Sequence, residues 1–280
     1  MTYREICVLF FDAGIESAAW DAALLIERFC GESAERVPLD AAREYDSPEL
    51  AAAVKKRAER YPLQYLLGEW QFYRQTYEVS PDCLIPRSDT EILVEEAIKR
   101  LPPNALFADL CTGSGCIAIS ILAERPDTRA AAVEKFPKTL ALAERNAVRN
   151  GVRERFEPIC ADVLRERCLP DGMQFDAILS NPPYIKREVL ATLAPELASE
   201  PTVALDGGDD GLIFYRRIVE TRAEKLKKDG FFLFEIGFDQ AEDLRRIGAE
   251  AGFDDCRVIR DFGGNDRVVM LGRTSRGGSA

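Results

Sequence analysis

The 280-residue chain is 46% hydrophobic and 30% charged, which is enough apolar material for a globular core, and its formal net charge is −11 at pH 7. That charge disfavours duplex DNA or RNA as a direct partner, and the absence of histidine excludes Ser-His and Cys-His catalysis. No apolar run reaches the roughly 20 residues of a membrane span and no CxxC pair suggests zinc, so we expect a cytoplasmic protein without membrane contact or a metal site.

The first 67 residues carry helical patterns and no convincing strand pattern. The segment ESAAWDAALLIERFC places Trp20, Leu24 and Phe29 at helical offsets. The segment SPELAAAVKKRAERYP begins with Ser47 as a cap and Pro48 in the first turn. We therefore predict a small all-α domain over residues 1–67.

The pattern changes in the next segment, GEWQFYRQTYEVSPDCLIP, which is rich in aromatic and β-branched residues. This composition predicts a β-hairpin linker over residues 68–86. From residue 87 a helical pattern resumes in RSDTEILVEEAIKRLPP. We place one domain over residues 87–273 and a flexible tail over residues 274–280.

After Pro103 the chain alternates strand and helix patterns, which is typical of a parallel sheet with crossover helices. Five strand segments, LFADLC, RAAAVEK, FEPICAD, FDAILS and GFFLFEIG, are predicted to be parallel. The last two, CRVIRDF and RVVMLG, are separated only by a short turn and should form an antiparallel hairpin. The predicted fold class is α/β, with the sheet layout of Rossmann-like class I methyltransferases beside the all-α N-terminal domain.

A glycine-rich turn, ADLCTGSGCIAIS, places Gly113 and Gly115 between the first of these strands and a helix. Glycines there allow a tight turn and close approach of a ligand to the helix N-terminus. The same residues also satisfy the loose dinucleotide pattern GxGxxA, with Glu134 about 20 residues later. The turn alone therefore leaves NAD and S-adenosylmethionine open.

Three acidic residues at successive strand ends favour S-adenosylmethionine. Asp109 would help to hold a cationic amino-acid tail, whereas an acid is unfavourable beside a pyrophosphate. Glu134 suits a bidentate grip on two ribose hydroxyls, and Asp162 could accept a hydrogen bond from the adenine amino group. Any one of these acids alone could simply cap the next helix. Together they lie where open α/β sheets bind ligands.

The segment SNPPY follows the fourth strand and suggests chemistry at an amide nitrogen. The side-chain oxygen of Asn181 and the carbonyl of Pro182 can each accept one hydrogen bond from a substrate NH2 group. Pro183 restricts Pro182 to an extended conformation, and Tyr184 offers a flat wall to a planar group. The alternative is that SNPPY is only a rigid turn.

At these motifs the chain resembles the glutamine-N5 protein methyltransferases that modify peptide-chain release factors, which are class I enzymes dependent on S-adenosylmethionine. The resemblance covers nearly the whole chain. It is carried by LIPRSDTE at 84–91, DLCTGSGCIAI at 109–119, SNPPYI at 180–185, LDGGDDGL at 205–212, EIG with Gln240 shortly after it, and NDRVV at 265–269. The NPPY element alone is shared with adenine DNA methyltransferases, so the combination with LIPRSDTE carries the specificity.

The resemblance implies methyl transfer from S-adenosylmethionine to the glutamine of a release factor's Gly-Gly-Gln tip. The implied cofactor residues are Asp109, Cys111, Thr112, Gly113, Ser114, Gly115, Glu134, Asp162, Val163 and Asn181. The implied substrate residues are Asn181, Pro182, Pro183 and Tyr184, of which Asn181, Pro182 and Tyr184 are the catalytic candidates. Family members often have glycine in place of Cys111 and aspartate in place of Glu134.

Arg87 and Thr90 are expected near the site without an assigned role. The N-terminal domain is expected to select the protein partner, and we expect a monomer. Four alternatives remain at this point: a methyltransferase acting on a glutamine of a ribosomal large-subunit protein, an adenine DNA methyltransferase, an NAD-dependent oxidoreductase and a non-catalytic binding module.

Overall fold

The structure, a computed structural model, describes residues 1–274, so all of the predicted tail except Thr274 lies outside the described residues. The N-terminal segment is helical, as the sequence predicts. Its α-helices are α1 (Tyr3–Asp12), α2 (Ala18–Cys30), α3 (Pro48–Ala58) and α4 (Leu63–Leu67). The hydroxyl of Ser47 accepts a hydrogen bond from the Leu50 amide at 3.1 Å and caps α3. These helices enclose an apolar core of their own.

The linker contains the predicted hairpin, formed by β1 (Glu69–Phe72) and β2 (Gln75–Glu78), which pair antiparallel. Helix α5 (Thr90–Arg100) then leads into a sheet of seven strands. The sheet strands are β3 (Leu106–Leu110), β4 (Arg129–Glu134), β5 (Phe156–Cys160), β6 (Phe175–Ser180), β7 (Leu226–Glu235), β8 (Asp255–Arg260) and β9 (Asp266–Gly272).

The strand order is β5-β4-β3-β6-β7-β9-β8, with β3 to β7 parallel. Strand β9 lies between β7 and β8 and is antiparallel to both. The predicted fold class, including the antiparallel hairpin, is confirmed. The precise domain boundaries at residues 67, 86 and 273 stay predictions.

Helices cover both faces of the sheet and give it two apolar cores. Helix α5 packs on one face with α6 (Cys116–Glu124) and α7 (Pro137–Arg149). The other face is covered by α8 (Ile213–Arg222) and α9 (Ala241–Glu250). Within the described part of the chain, no helix combines the length and the apolar character that crossing a membrane requires.

Strands β3 and β6 are neighbours in the sheet although α6, β4, α7 and β5 separate them along the chain. Leu110 pairs with Ser180, whose hydroxyl also donates to the Leu110 carbonyl at 2.6 Å. The residues after them, Cys111 and Asn181, therefore leave the sheet side by side. Strand order reverses at this point, and such reversals are where open α/β sheets bind ligands.

The linker hairpin is fixed to the sheet domain by Asn146 of α7, which is fully buried. Its side-chain oxygen accepts from the Glu78 amide at 2.7 Å, and its nitrogen donates to the carbonyls of Glu78 at 3.1 Å and Ser114 at 2.9 Å. One amide group thus connects the hairpin to the glycine-rich turn.

We expect Asn146→Ala to lower the free energy of unfolding by about 2–4 kcal/mol, because it leaves buried backbone groups without partners. Arg145→Ala is the matched control. Arg145 lies on the same helix and pairs with the Glu78 carboxylate at 2.7 Å, but both side chains are about half exposed, so the loss should stay below about 1 kcal/mol. Urea denaturation of both variants measures the difference, and equal losses would contradict this account of the hairpin.

Candidate active site

A cavity of about 330 Å³ opens where β3, β4 and β6 end. Its volume falls within the roughly 300–1,000 Å³ typical of small-molecule sites. Many of the predicted site residues line it, namely Cys111, Thr112, Gly113, Ser114, Glu134, Asp162, Val163, Asn181 and Pro183. Asp109, Gly115, Pro182 and Tyr184 are not part of its lining. The cavity thus contains residues from both the predicted cofactor set and the predicted substrate set.

The glycine-rich turn follows β3 with three positive φ angles. Gly113 has φ of 56° and Gly115 has φ of 82°, conformations that favour glycine. A Cβ at Gly115 would lie 2.7 Å from Cδ1 of Ile119, so the turn packs tightly on α6. Cys111 also has positive φ, at 61°. Non-glycine residues in this region carry strain, which is found often at functional sites.

Asp109 is fully buried behind this turn. One carboxylate oxygen accepts from the Thr112 hydroxyl at 2.6 Å and from the Ala118 amide at 3.3 Å. The other oxygen, Oδ1, has no hydrogen-bond partner among the described residues. Burial raises the pKa of Asp109 to about 7, against the lowering by its hydrogen bonds to Thr112 and Ala118. Asp109 therefore supports the cavity through Thr112, and its direct contact with a cofactor stays a prediction.

Glu134 ends β4 and belongs to the cavity lining. Oε2 accepts from the Gly113 amide at 3.1 Å and Oε1 accepts from the Phe136 amide at 3.0 Å. Burial raises the pKa of Glu134, while these backbone amides oppose the shift. Because a carboxylate has about four acceptor positions, capacity remains for two further donors. The position of Glu134 suits the predicted hydrogen bonds from two ribose hydroxyls to its carboxylate.

Asp162 follows β5 and pairs with Lys135 at 3.1 Å. Its other oxygen accepts from the Leu164 amide at 3.0 Å. Val163 beside it is buried and lines the cavity. The sequence analysis missed Phe136, whose ring is 39% exposed and belongs to the lining. An aromatic residue two positions after a strand-end acid, directly before a proline at a helix start, was the available signal.

Asn181 follows β6 and faces the cavity. Its side-chain nitrogen donates to the Thr90 hydroxyl at 3.2 Å. Neither the side-chain oxygen of Asn181 nor the carbonyl of Pro182 accepts a hydrogen bond from residues 1–274. Tyr184 does not belong to the cavity lining, and its hydroxyl lies 3.4 Å from a carboxylate oxygen of Glu235. The predicted substrate-binding and catalytic roles of Asn181, Pro182, Pro183 and Tyr184 stay predictions.

The segment after β6 is held by two motifs whose purpose the sequence did not reveal. The amide of Ile185 donates to the Leu205 carbonyl at 3.0 Å, and the Gly207 amide donates to the Ile185 carbonyl at 2.9 Å. A Cβ at Gly207 would lie 2.7 Å from Cα of Tyr184. Only glycine therefore fits at this first glycine of the motif LDGGDDGL. The side-chain nitrogen of Gln240 donates to the Tyr184 carbonyl at 3.0 Å.

The segment over residues 187–204 also contributes to the cavity, through Arg187 at its start and through Pro201 to Ala204 at its end. Glu200 in this segment is 4% exposed and forms an ion pair with Arg87, the residue directly after the linker. It also accepts from the Ile85 amide at 3.0 Å. Arg87 and Thr90 both belong to the cavity lining, which gives the linker motif a structural role.

Comparison with family models identifies two matching regions. The model described as Methyltransferase small domain matches residues 88–228, and the model described as PrmC N-terminal domain matches residues 3–68. A solved methyltransferase from Pyrococcus furiosus is 16% identical with a TM-score of 0.53, covering 70% of this chain and 88% of that chain. This likeness concerns the fold.

Curated relatives match almost the full length. The release factor glutamine methyltransferase of Geobacter sulfurreducens is 40% identical and covers 92% of this chain and 90% of its own. That of Caulobacter vibrioides is 34% identical and covers 92% and 91%. The four alternative functions are not favoured by these relatives. The predicted resemblance is confirmed, and the chain belongs to the release factor glutamine methyltransferase family.

Proposed function

We propose that this protein transfers the methyl group of S-adenosylmethionine to the side-chain amide nitrogen, N5, of the glutamine in the Gly-Gly-Gln motif of a peptide-chain release factor. The observation that carries the proposal is a single cavity lined by Glu134 and Asp162 together with Asn181 and Pro183. A cofactor held by the two acids would lie beside the residues that hold the glutamine. The names of the relatives support this substrate class.

The cavity fits the proposed cofactor in its donors, acceptors and apolar walls. Glu134 retains acceptor capacity for two ribose hydroxyls, and Asp162 can accept from an adenine amino group. Phe136 and Val163 offer apolar surface for the adenine ring. Bound there, the cofactor supplies an electrophilic methyl group on a sulfonium. The turn that carries Cys111 would bring the backbone close to its amino-acid part.

An amide nitrogen is a poor methyl acceptor because its lone pair is delocalised into the carbonyl. The Asn181 side-chain oxygen and the Pro182 carbonyl are two acceptors without partners in the described chain, and a glutamine side chain has two amide hydrogens. Binding both hydrogens would orient the nitrogen toward the methyl group. As positive charge develops on the nitrogen, the same oxygens stabilise it, and the proton then leaves to solvent.

A release factor substrate also agrees with the expected cytoplasmic location, because translation ends there. Under this proposal the protein acts on its partner as a monomer. The helices α1 to α4 would then contribute to partner selection, as the sequence predicts.

The direct test is mass spectrometry of a release factor after incubation with the protein and S-adenosylmethionine. We expect a gain of about 14 Da on the tip glutamine, because methyl replaces hydrogen. A release factor with Asn in place of that glutamine and a purified ribosomal large-subunit protein serve as controls. A mass gain on the ribosomal protein alone would overturn the proposed substrate. No mass gain on the release factor or on the ribosomal protein would overturn the proposed activity.

Asn181→Ala should abolish methyl transfer while the affinity for S-adenosylhomocysteine stays within about tenfold, because the lost interaction is made mostly in the transition state. Asn150→Ala is the control, since Asn150 lies at the end of α7 and outside the cavity lining. Transfer of tritiated methyl and calorimetric titration provide the two readouts. Near-normal turnover in Asn181→Ala would remove this residue from the proposed chemistry.

Glu134→Ala should weaken cofactor binding by roughly 1–3 kcal/mol, through the loss of charge-assisted hydrogen bonds. Glu134→Gln should lose less affinity because one acceptor oxygen remains. The partly exposed Glu144 of α7, which lies outside the cavity lining, offers a control, and Glu144→Ala should bind the cofactor normally. Calorimetry with S-adenosylhomocysteine measures all three variants, and an unchanged affinity in Glu134→Ala would refute the ribose assignment.

A further inference from the structure

The connection from β5 to β6, residues 161–174, forms part of the cavity wall without regular structure of its own. The described chain contains no helix or strand between Cys160 and Phe175. The first four residues of this connection nevertheless all line the cavity, and they include Asp162 and Val163. Backbone carbonyls outside helices and sheets need donors from elsewhere. The groups that hold this wall in place therefore belong to its neighbours.

Two arginines of α8 supply such donors. Arg217 donates through Nε to the Leu164 carbonyl at 3.0 Å. Arg222 donates through its two terminal nitrogens to the carbonyls of Arg165 and Glu166. Three consecutive carbonyls of the connection are thus satisfied by one helix.

The next part of the connection is held from the same helix and the residues after it. Nε of Arg222 donates to Sγ of Cys168 at 3.1 Å. Lys225, three residues after the end of α8, donates to the Pro170 carbonyl at 3.2 Å. Residues 164–170 are therefore attached to α8 and its C-terminal extension by side-chain hydrogen bonds.

The burial of Arg222 makes this attachment stiff. The residue is 1% exposed, and its guanidinium stays charged at ordinary pH. Burying such a charge costs free energy unless polar groups surround it, and here the acceptors are backbone carbonyls and a thiol sulfur. The planar fork of the guanidinium also fixes the direction of each bond. The arginine needs these acceptors as much as the connection needs donors, so neither can move alone.

Helix α8 is fixed at its other end to the segment after β6. Its first two residues, Ile213 and Phe214, line the cavity. Just before them, the Gly211 carbonyl accepts from the side-chain nitrogen of Gln240 at 3.3 Å, and the same nitrogen donates to the Tyr184 carbonyl at 3.0 Å. One helix therefore relates the wall after β5 to the segment after β6.

We propose that Arg217 and Arg222 are positioning residues for the nucleobase of the cofactor. By holding the connection after β5 they keep the Asp162 carboxylate in place to accept from the amino group of adenine, and so set the preference for adenine over a base that carries oxygen there. The inference rests on the proposed function for the identity of the cofactor. Neither arginine belongs to the cavity lining, so both act through the backbone that they hold.

A comparison of two nucleosides makes this positioning measurable. Adenine presents an amino group to Asp162, whereas the base of S-inosylhomocysteine carries an oxygen at the same position. A fixed carboxylate meets that oxygen as a second acceptor, so a hydrogen bond is replaced by repulsion. A carboxylate on a loosely held segment can move away from the oxygen. The preference for adenine therefore depends on how firmly the connection is held.

The binding test is calorimetric titration with S-adenosylhomocysteine and with S-inosylhomocysteine. We expect the parent protein to prefer the adenine compound about 10- to 100-fold, and Asp162→Ala to lose this preference. Arg217→Met and Arg222→Met remove the donors and keep an unbranched stem, and the preference should fall below about threefold in each. A parent protein that binds both compounds equally would overturn the proposal. A parental preference in either arginine variant would overturn it for that arginine.

Two control variants on α8 separate positioning from stability. Glu220→Gln removes the exposed ion-pair partner of Arg217 at 3.2 Å and leaves the bond to the connection, so the preference should stay parental. Val219→Ala opens a gap in the buried face of α8 and removes no donor, so it should lower stability and keep the preference. Loss of the preference in Val219→Ala would assign the effect to stability and overturn the proposal. Should Arg222→Met fail to fold, Arg217→Met carries the test, since its side chain is 27% exposed.

A readout that needs no ligand distinguishes this inference from the proposed function. Hydrogen exchange of the backbone amides in residues 162–169, measured by mass spectrometry on the ligand-free protein, should be faster in Arg217→Met and Arg222→Met than in the parent protein. Exchange in β3 should stay unchanged in both variants. If exchange follows this pattern while neither nucleoside binds, the proposed cofactor fails and the holding of the connection by α8 stands. Parental exchange in both variants would refute that holding whatever the affinities.

Discussion

The site depends on one backbone constraint, which is that the segment after β6 must be fixed although Pro182 and Pro183 have no amide hydrogens. Pro182 and Pro183 cannot donate, so the segment cannot be held as a sheet strand would be. It is held from outside, by the pairing of Ile185 with residues 205–207 and by Gln240, which donates to the Tyr184 carbonyl. The prolines therefore leave the Pro182 carbonyl rigid and free, and the neighbouring motifs supply the anchorage that the prolines remove.

Three buried acids lie at or next to the ends of β3, β4 and β7, and of these Glu134 lines the cavity. Burial is the main cause that raises the pKa of Asp109, Glu134 and Glu235, and the pKa values of Asp109 and Glu235 reach about 7. Each is stabilised by donors in a different way: a threonine hydroxyl and a helix amide for Asp109, two backbone amides for Glu134, and the Tyr184 hydroxyl for Glu235. Such an edge favours a ligand that carries positive charge, as the proposed cofactor does.

The parts of the fold that sequence predicted are those set by local pattern. Strand segments, the hairpin of β8 and β9 and the capped start of α3 at Ser47 follow from periodicity and turn chemistry over a few residues. The position of β9 between β7 and β8 is a long-range choice that a list of strands does not contain. For the same reason Asn181 could be named from its motif, but its bond to Thr90, 91 residues away, could not. Phe136 was missed because its ring contributes to no periodic pattern.

The last link in the architecture joins the helical segment to the cavity. Arg57 of α3 is buried and pairs with Asp21 of α2 at 2.7 Å and with Glu196 at 3.4 Å, while Arg60 binds the same glutamate at 2.7 Å. Glu196 lies in the segment 187–204, whose end forms part of the cavity wall. Burying an arginine costs free energy unless its charge is paired. The pairing of Arg57 with Glu196 therefore stabilises α3 and fixes the segment 187–204 at the same time. These ion pairs therefore connect the helical segment to the chain segment that forms one wall of the cavity.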